Sequence, residues 1–240
     1  MELTVLLYTA ASLGIIHTLL GPDHYLPFIV LSRARSWSRS KTLWITFFSG
    51  VGHVAGSVVL GLVGVAMGLG LHRLERIESV RGNAVGWLLI GFGLLYSLYG
   101  VYRHGRHGHK HLPSFLTPKS LREGHSTLHR ELHHVEEAPA GSRSDPGRLT
   151  PWILFLIFVF GPCEVLIPML IYPAAEHNLA GVIGVALVFG TATVATMLAV
   201  VFVGYQGLSF LHLKGRESLI HVLAGVVILS AGLAMQFLGL

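Results

Sequence analysis

The sequence predicts an all-α integral membrane protein: six transmembrane helices in two inverted three-helix repeats, with helices one and four broken by proline. Three observations predict it. The chain of 240 residues is 52% hydrophobic and only 12% charged, with a mean hydropathy of +0.64, whereas a soluble domain carries about 25% charged residues. Its charged residues cluster between apolar runs long enough to cross a bilayer, which takes about 20 residues. Finally, two stretches in corresponding halves are versions of each other. His17-Thr-Leu-Leu-Gly21-Pro22-Asp23-His24 leads to Pro27, and Phe160-Gly161-Pro162-Cys163-Glu164 leads to Pro168.

Residues 3–32 form the first span, broken at Gly21-Pro22. In a helix Pro22 removes the bond to the carbonyl of Thr18, and Pro27 the bond to that of Asp23. The basic loop Arg33, Arg35, Arg39 and Lys41 follows. A second span, about 43–71, carries Ser49, His53 and Ser57 on one helix face, with Gly52/Gly56 and Gly64/Gly68 at close-packing spacings. Residues 72–82 are charged (Arg73, Glu75, Arg76, Glu78, Arg81) and read as a loop. The third span, about 83–102, holds Gly86, Gly91 and Gly93, which suggest packing alone.

Three segments are thereby defined: 1–102, the first repeat; 103–149, a histidine-rich loop; and 150–240, the second repeat. The loop holds eight of the fifteen histidines, enough for weak metal capture. Ser120 and Glu123 could form a capping box, with His125, His129 and His133 on one face of the helix that follows. The fourth span, about 151–172, contains the second break, where Pro162 and Pro168 free the carbonyls of Phe158 and Glu164. The fifth, about 179–203, carries Thr191, Thr193 and Thr196. The sixth, about 218–238, holds His221.

Breaks of this kind are tolerated in a bilayer only where they are buried or line a cavity. Discontinuous helices in corresponding halves point to a transporter's binding site. A carboxylate at the bilayer centre costs roughly 2.5–3.5 kcal/mol on insertion scales, so Asp23 and Glu164 at matching breaks argue for more than kinking. The ionisable residues inside the spans are His17, Asp23, His24, His53, Cys163, Glu164 and His221, with no Lys or Arg among them. That inventory suits a cation, protons or both, and it argues against an anion path. Imidazole and carboxylate together suit divalent first-row metals, nickel and cobalt among them, with Cys163 a soft ligand or tuner nearby. The candidate metal residues are therefore His17, Asp23, His24, His53, Cys163 and Glu164.

His17, Asp23 and His24 resemble the signature of the nickel/cobalt transporter family and its nickel and cobalt efflux relatives, at a spacing one residue longer than usual. Phe48-Ser-Gly-Val-Gly52-His53 is similar to the Gly-His motif of that family's next span, and Gly190-Thr191 to a stretch found in the wider superfamily, which includes lysine and sulfite exporters. An internal His-rich loop is typical of the efflux branch. The resemblance implies six or more spans and transition-metal transport, with His17, Asp23, His24 and His53 at the site. Gly161-Pro162-Cys163 also resembles the Pro-Cys motif of membrane thiol–disulfide carriers. Those carriers use two cysteines, and this chain has one.

The resulting expectation is a transporter of divalent transition-metal ions, nickel or cobalt first, and not an enzyme. The histidine-rich loop favours export over uptake. The alternatives are an exporter of a sulfur compound from the same superfamily and a membrane thiol redox carrier. The expected partners are the lipid bilayer and the transported ion, with proton coupling left open, no permanently bound cofactor and no nucleic acid. The pI of 9.6 reflects basic loops and membrane topology. Placing the loops after spans one, three and five in the cytoplasm puts fourteen of the seventeen Lys and Arg there. Both termini then lie outside the plasma (inner) membrane and the His-rich loop inside. The start Met1-Glu2 lacks the basic n-region of a cleaved signal peptide.

Overall fold

A computed structural model describes residues 3–107, 146–176, 178–209 and 217–238. Among these the chain is helical, without strands: α1 (Leu3–Leu20), a single 3₁₀ turn (Pro22–His24), α2 (Leu26–Ala34), α3 (Arg39–Ala66), α4 (Leu71–His107), α5 (Pro146–Val159), α6 (Leu166–Ala175), α7 (Leu179–Ser209) and α8 (Glu217–Leu238). The spans Leu3–Leu20, Arg39–Ala66, Leu71–Tyr102, Leu179–Leu208 and Leu219–Leu238 are long and apolar enough to cross a membrane, and Leu149–Val159 is a shorter apolar helix. Both breaks fall where the Gly-Pro pairs place them. The central part of the His-rich loop, with its capping box and histidine face, lies outside the described residues.

Apolar side chains point outward and small polar ones inward, as lipid surroundings require. Tyr8, Trp44, Trp87, Leu95 and Val203 are exposed, while Thr18, Thr46, Ser49, His53 and Thr193 are buried. On α1 the buried residues Leu6, Ala10, Gly14 and Thr18 recur every fourth position, one stripe of a helix. That stripe packs on α7. A Cβ on Gly14 would sit 3.0 Å from the Phe189 carbonyl oxygen, so glycine sets the approach.

α3 begins at Ser38, whose hydroxyl accepts the Lys41 amide at 3.2 Å, an N-cap. It ends at Gly68 (φ +67°), where the amide of Leu69 bonds the Gly64 carbonyl and that of Gly68 the Val65 carbonyl. This is a Schellman motif, whose left-handed position glycine fills without strain. α3 packs against α5 and α7, and Gly52 and Gly56 both lie against Val159. α4 and α8 form the most extensive helix pair. Gly86 and Gly93 of α4 meet Gln236 and Leu229 of α8, whereas Gly91 has nothing within 4 Å.

One expectation is overturned. Residues 72–82 are not a loop; they are the first turns of α4, which runs unbroken from Leu71. The reason is a buried stripe that continues through the charged stretch: Leu74, Glu78, Val85 and Leu89 recur at helical spacing and all are buried. The spans are consequently not free of Lys and Arg, because Arg81 lies within the apolar helix Leu71–Tyr102.

Candidate metal centre

The first break is built locally. The last bond of α1 runs from the Gly21 amide to the His17 carbonyl (3.0 Å). Gly21 then turns extended (φ −85°, ψ 94°), and the amides of His24 and Tyr25 close the 3₁₀ turn on the carbonyls of Gly21 and Pro22. The Tyr25 hydroxyl donates back to the Leu19 carbonyl (3.3 Å). Folded this way, the His24 ring lies over Gly21. A Cβ there would sit 2.5 Å from Nδ1 of His24 and 2.9 Å from Oδ1 of Asp23, so only glycine leaves room.

In a continuous helix His17 and His24 would be separated by about 10 Å of rise; across the break their ring centroids are 4.8 Å apart. His53, from the middle of α3, comes within 5.0 Å of His24, centroid to centroid, and stacks at 6.5 Å on His17.

The second break delivers Cys163, which is fully buried. Its Sγ lies 4.0 Å from Nε2 of His17. One donor atom each from His17, His53 and Cys163 lie within 4.8 Å of one another. The carbonyl of Phe158, which Pro162 deprives of its helical partner, accepts from the Gly161 amide (2.9 Å) and from Nδ1 of His53 (3.3 Å). Gly161 is the counterpart of Gly21, since a Cβ on it would sit 3.0 Å from Nδ1 of His53.

These contacts fix which ring nitrogen is free. His53 donates through Nδ1 to a carbonyl, and His24 donates through Nδ1 to Oδ1 of Asp23 at 3.1 Å. Both leave Nε2 as the lone-pair atom, and both Nε2 atoms are buried without a hydrogen-bond partner among the described residues. A histidine oriented by a carboxylate or carbonyl on its far nitrogen is the usual dress of a metal ligand. A buried, unpaired imidazole nitrogen is otherwise an uncompensated cost.

A cavity of about 640 Å³ reaches this cluster from one side; His17, Asp23, His24, Asn83, Pro162, Glu164 and Gln236 line it. The Asp23 side chain is 15% exposed. Glu164 is exposed on the cavity wall, apart from the cluster. Of the six candidate residues, the two breaks and α3 thus bring five together, and the sixth, Glu164, lines the cavity. The remaining polar positions divide. Thr191 and Thr196 bond carbonyls of their own helix, and His221 pairs with the Tyr96 hydroxyl between α4 and α8. Ser49 and Thr193 carry buried hydroxyl oxygens without a partner among the described residues.

Sequence reasoning missed Glu78 and Arg81. Glu78 is 1% exposed. Its Oε1 meets Nη1 of Arg81 at 2.5 Å, and its Oε2 accepts the Cys163 amide at 3.1 Å. Arg81 donates through Nη2 to the carbonyls of Val159 (3.3 Å) and Gly161 (3.1 Å). The available signal was an i, i+3 acid–base pair on the apolar stripe of Leu74, Val85 and Leu89. Comparison with protein-family models, curated proteins and solved structures gives no match to this chain.

Proposed function

We propose that the chain is a membrane transporter for divalent transition-metal ions, nickel or cobalt first, with export favoured over uptake. The observation that carries this is the convergence of His17, His53 and Cys163 donor atoms within 4.8 Å where two helices are broken. Imidazole nitrogen and thiolate sulfur suit late first-row metals far better than alkali or alkaline-earth ions. In this reading His17, His53 and Cys163 hold the ion, with His24 beside them. Asp23 orients His24 and contributes charge at the cavity, and Glu164 meets the ion on its approach. Asn83, Gln236 and the cavity wall form the route from one side of the membrane.

The transporter plan is six spans in two inverted repeats, with α1/α2 and α5/α6 as the two broken helices. Its support is an exchange of packing partners: α1 packs on α7 while α5 packs on α3, and the pairs α3/α7 and α4/α8 join the halves. The charge distribution of the loops places both termini outside the plasma membrane and the His-rich loop in the cytoplasm. The resemblance of His17…Asp23-His24 and Gly52-His53 to the nickel/cobalt transporter signature points the same way.

Arg81 does not convert the site to an anion path, because its charge is matched by Glu78 at 2.5 Å. With Cys163 the sole cysteine, a dithiol relay within one chain has no second thiol. The test is accumulation of nickel, cobalt, zinc and copper in cells with and without the protein. Cells that express it should change their nickel or cobalt content, and unchanged content of all four metals would refute the reading.

A further inference from the structure

Glu78 and Arg81 are not among the residues whose donor atoms form the cluster, yet they occupy one particular place in the second break. In an unbroken helix the amide of Cys163 would bond the carbonyl of Val159, four residues back. In this chain that bond is split. The Cys163 amide goes to Oε2 of Glu78, and the Val159 carbonyl goes to Nη2 of Arg81. The same guanidinium group takes the Gly161 carbonyl, and the two side chains close on each other. The ion pair of α4 is thus inserted into the hydrogen-bond ladder as a bridge. A side chain wedged into the ladder is one of the recognised causes of a sharp helix kink. The charges also have the favourable sense: a cation at the C-terminus of α5, and an anion on an amide ahead of α6.

We infer that the Glu78–Arg81 pair is a positioning device that holds the second break open at Cys163 and aims its sulfur at His17 and His53. The role as a metal-site device rests on the transporter reading above. The geometry carries it in three steps. Cys163 is anchored by its own amide, so the start of its side chain is set by Glu78. Gly161, whose Cα faces Nδ1 of His53, is anchored by its carbonyl to Arg81. Gly82, one residue beyond Arg81 on α4, lies against Pro162, where a Cβ would come within 3.0 Å of the ring, so α4 seats the whole Gly-Pro-Cys unit. Groups that orient a ligand without touching the ion typically alter metal affinity by about 10–100-fold when removed.

The test uses the full-length protein purified in detergent, with two independent readouts. The first is the rate at which Cys163, as the sole cysteine, is alkylated by a maleimide. The second is titration with Co²⁺, following the near-ultraviolet sulfur-to-cobalt charge-transfer band and the apparent affinity. Glu78→Gln and Arg81→Gln should each raise the alkylation rate at least about tenfold and weaken cobalt binding by about 10–100-fold. They should diminish the sulfur band more than the d–d bands of imidazole-bound cobalt. Arg81→Lys, which keeps the charge but not the forked donor, should recover only part of the loss. The double variant Glu78→Gln/Arg81→Gln leaves no unpaired buried charge and serves if a single variant fails to fold; its Cys163 should label faster than wild type. Folded variants with wild-type labelling, band and affinity would overturn the positioning role while leaving the metal site standing. Faster labelling with no cobalt bound by the wild type would sustain the positioning of Cys163 and sink the metal reading.

Discussion

The two Gly-Pro breaks do the same job by different means. At the first, the carbonyl of Leu19, two residues before the glycine, is satisfied by the hydroxyl of Tyr25, within the same segment. At the second, the corresponding carbonyl of Val159 is satisfied by Arg81 from another helix. The first break carries its own 3₁₀ turn and its own carboxylate–imidazole pair; the second borrows both a cation and an anion from α4. A self-contained break owes its shape to local sequence, and a borrowed one moves only with the helix that supports it. Both breaks pack into the bundle, the first on α8 and the second on α4, but only the second takes its hydrogen-bond partners from another helix.

Substitutions that strike one break and spare the other sharpen this contrast. The largest expected effect is Arg81→Ala. It strands the buried Glu78 carboxylate and two carbonyls, and breaking a buried pair costs about 3–5 kcal/mol. A melting curve of the purified protein should show a large loss, and an unchanged curve would mean the second break supports itself. Next is Gly21→Ala, which should abolish transport because its Cβ overlaps Nδ1 of His24 at 2.5 Å. Gly161→Ala, with 3.0 Å to His53, should leave measurable flux, so equal losses in metal uptake by vesicles would show that the breaks are equally rigid. Asp23→Asn keeps an acceptor for Nδ1 of His24 but removes the charge. Metal affinity by calorimetry should fall about 10–100-fold with little change in melting. The smallest effect is Tyr25→Phe, which removes one bond to the Leu19 carbonyl and should cost about 1 kcal/mol in the same melting assay.

What the sequence disclosed follows the same division. The first break was legible because everything it needs lies between His17 and Tyr25, and proline and glycine act on their own neighbours. His53 stood out because Ser49 and Ser57 extend its polar stripe and because Gly52-His53 resembles a transporter motif; that its ring meets the breaks is a tertiary contact no local pattern states. Cys163 and Glu164 were both picked, but a broken segment has no periodicity to say which of two adjacent side chains turns inward. Cys163 is buried against His17, and Glu164 faces the cavity. Glu78 and Arg81 were hidden because a charge-rich stretch after a glycine turn looks like a loop. Only the stripe from Leu74 to Leu89, continuous across it, marks residues 72–82 as helix.

The central claim is that the ion passes where the two breaks meet α3. Its most direct test is flux in proteoliposomes that hold the purified chain and a metal-sensitive dye, with Ni²⁺ or Co²⁺ supplied outside. Wild-type protein should carry one or both ions. His53→Ala, which removes the donor between the breaks, should insert normally and carry neither. Undiminished flux through His53→Ala would contradict the account, as would a wild type that leaves both ions where they were placed.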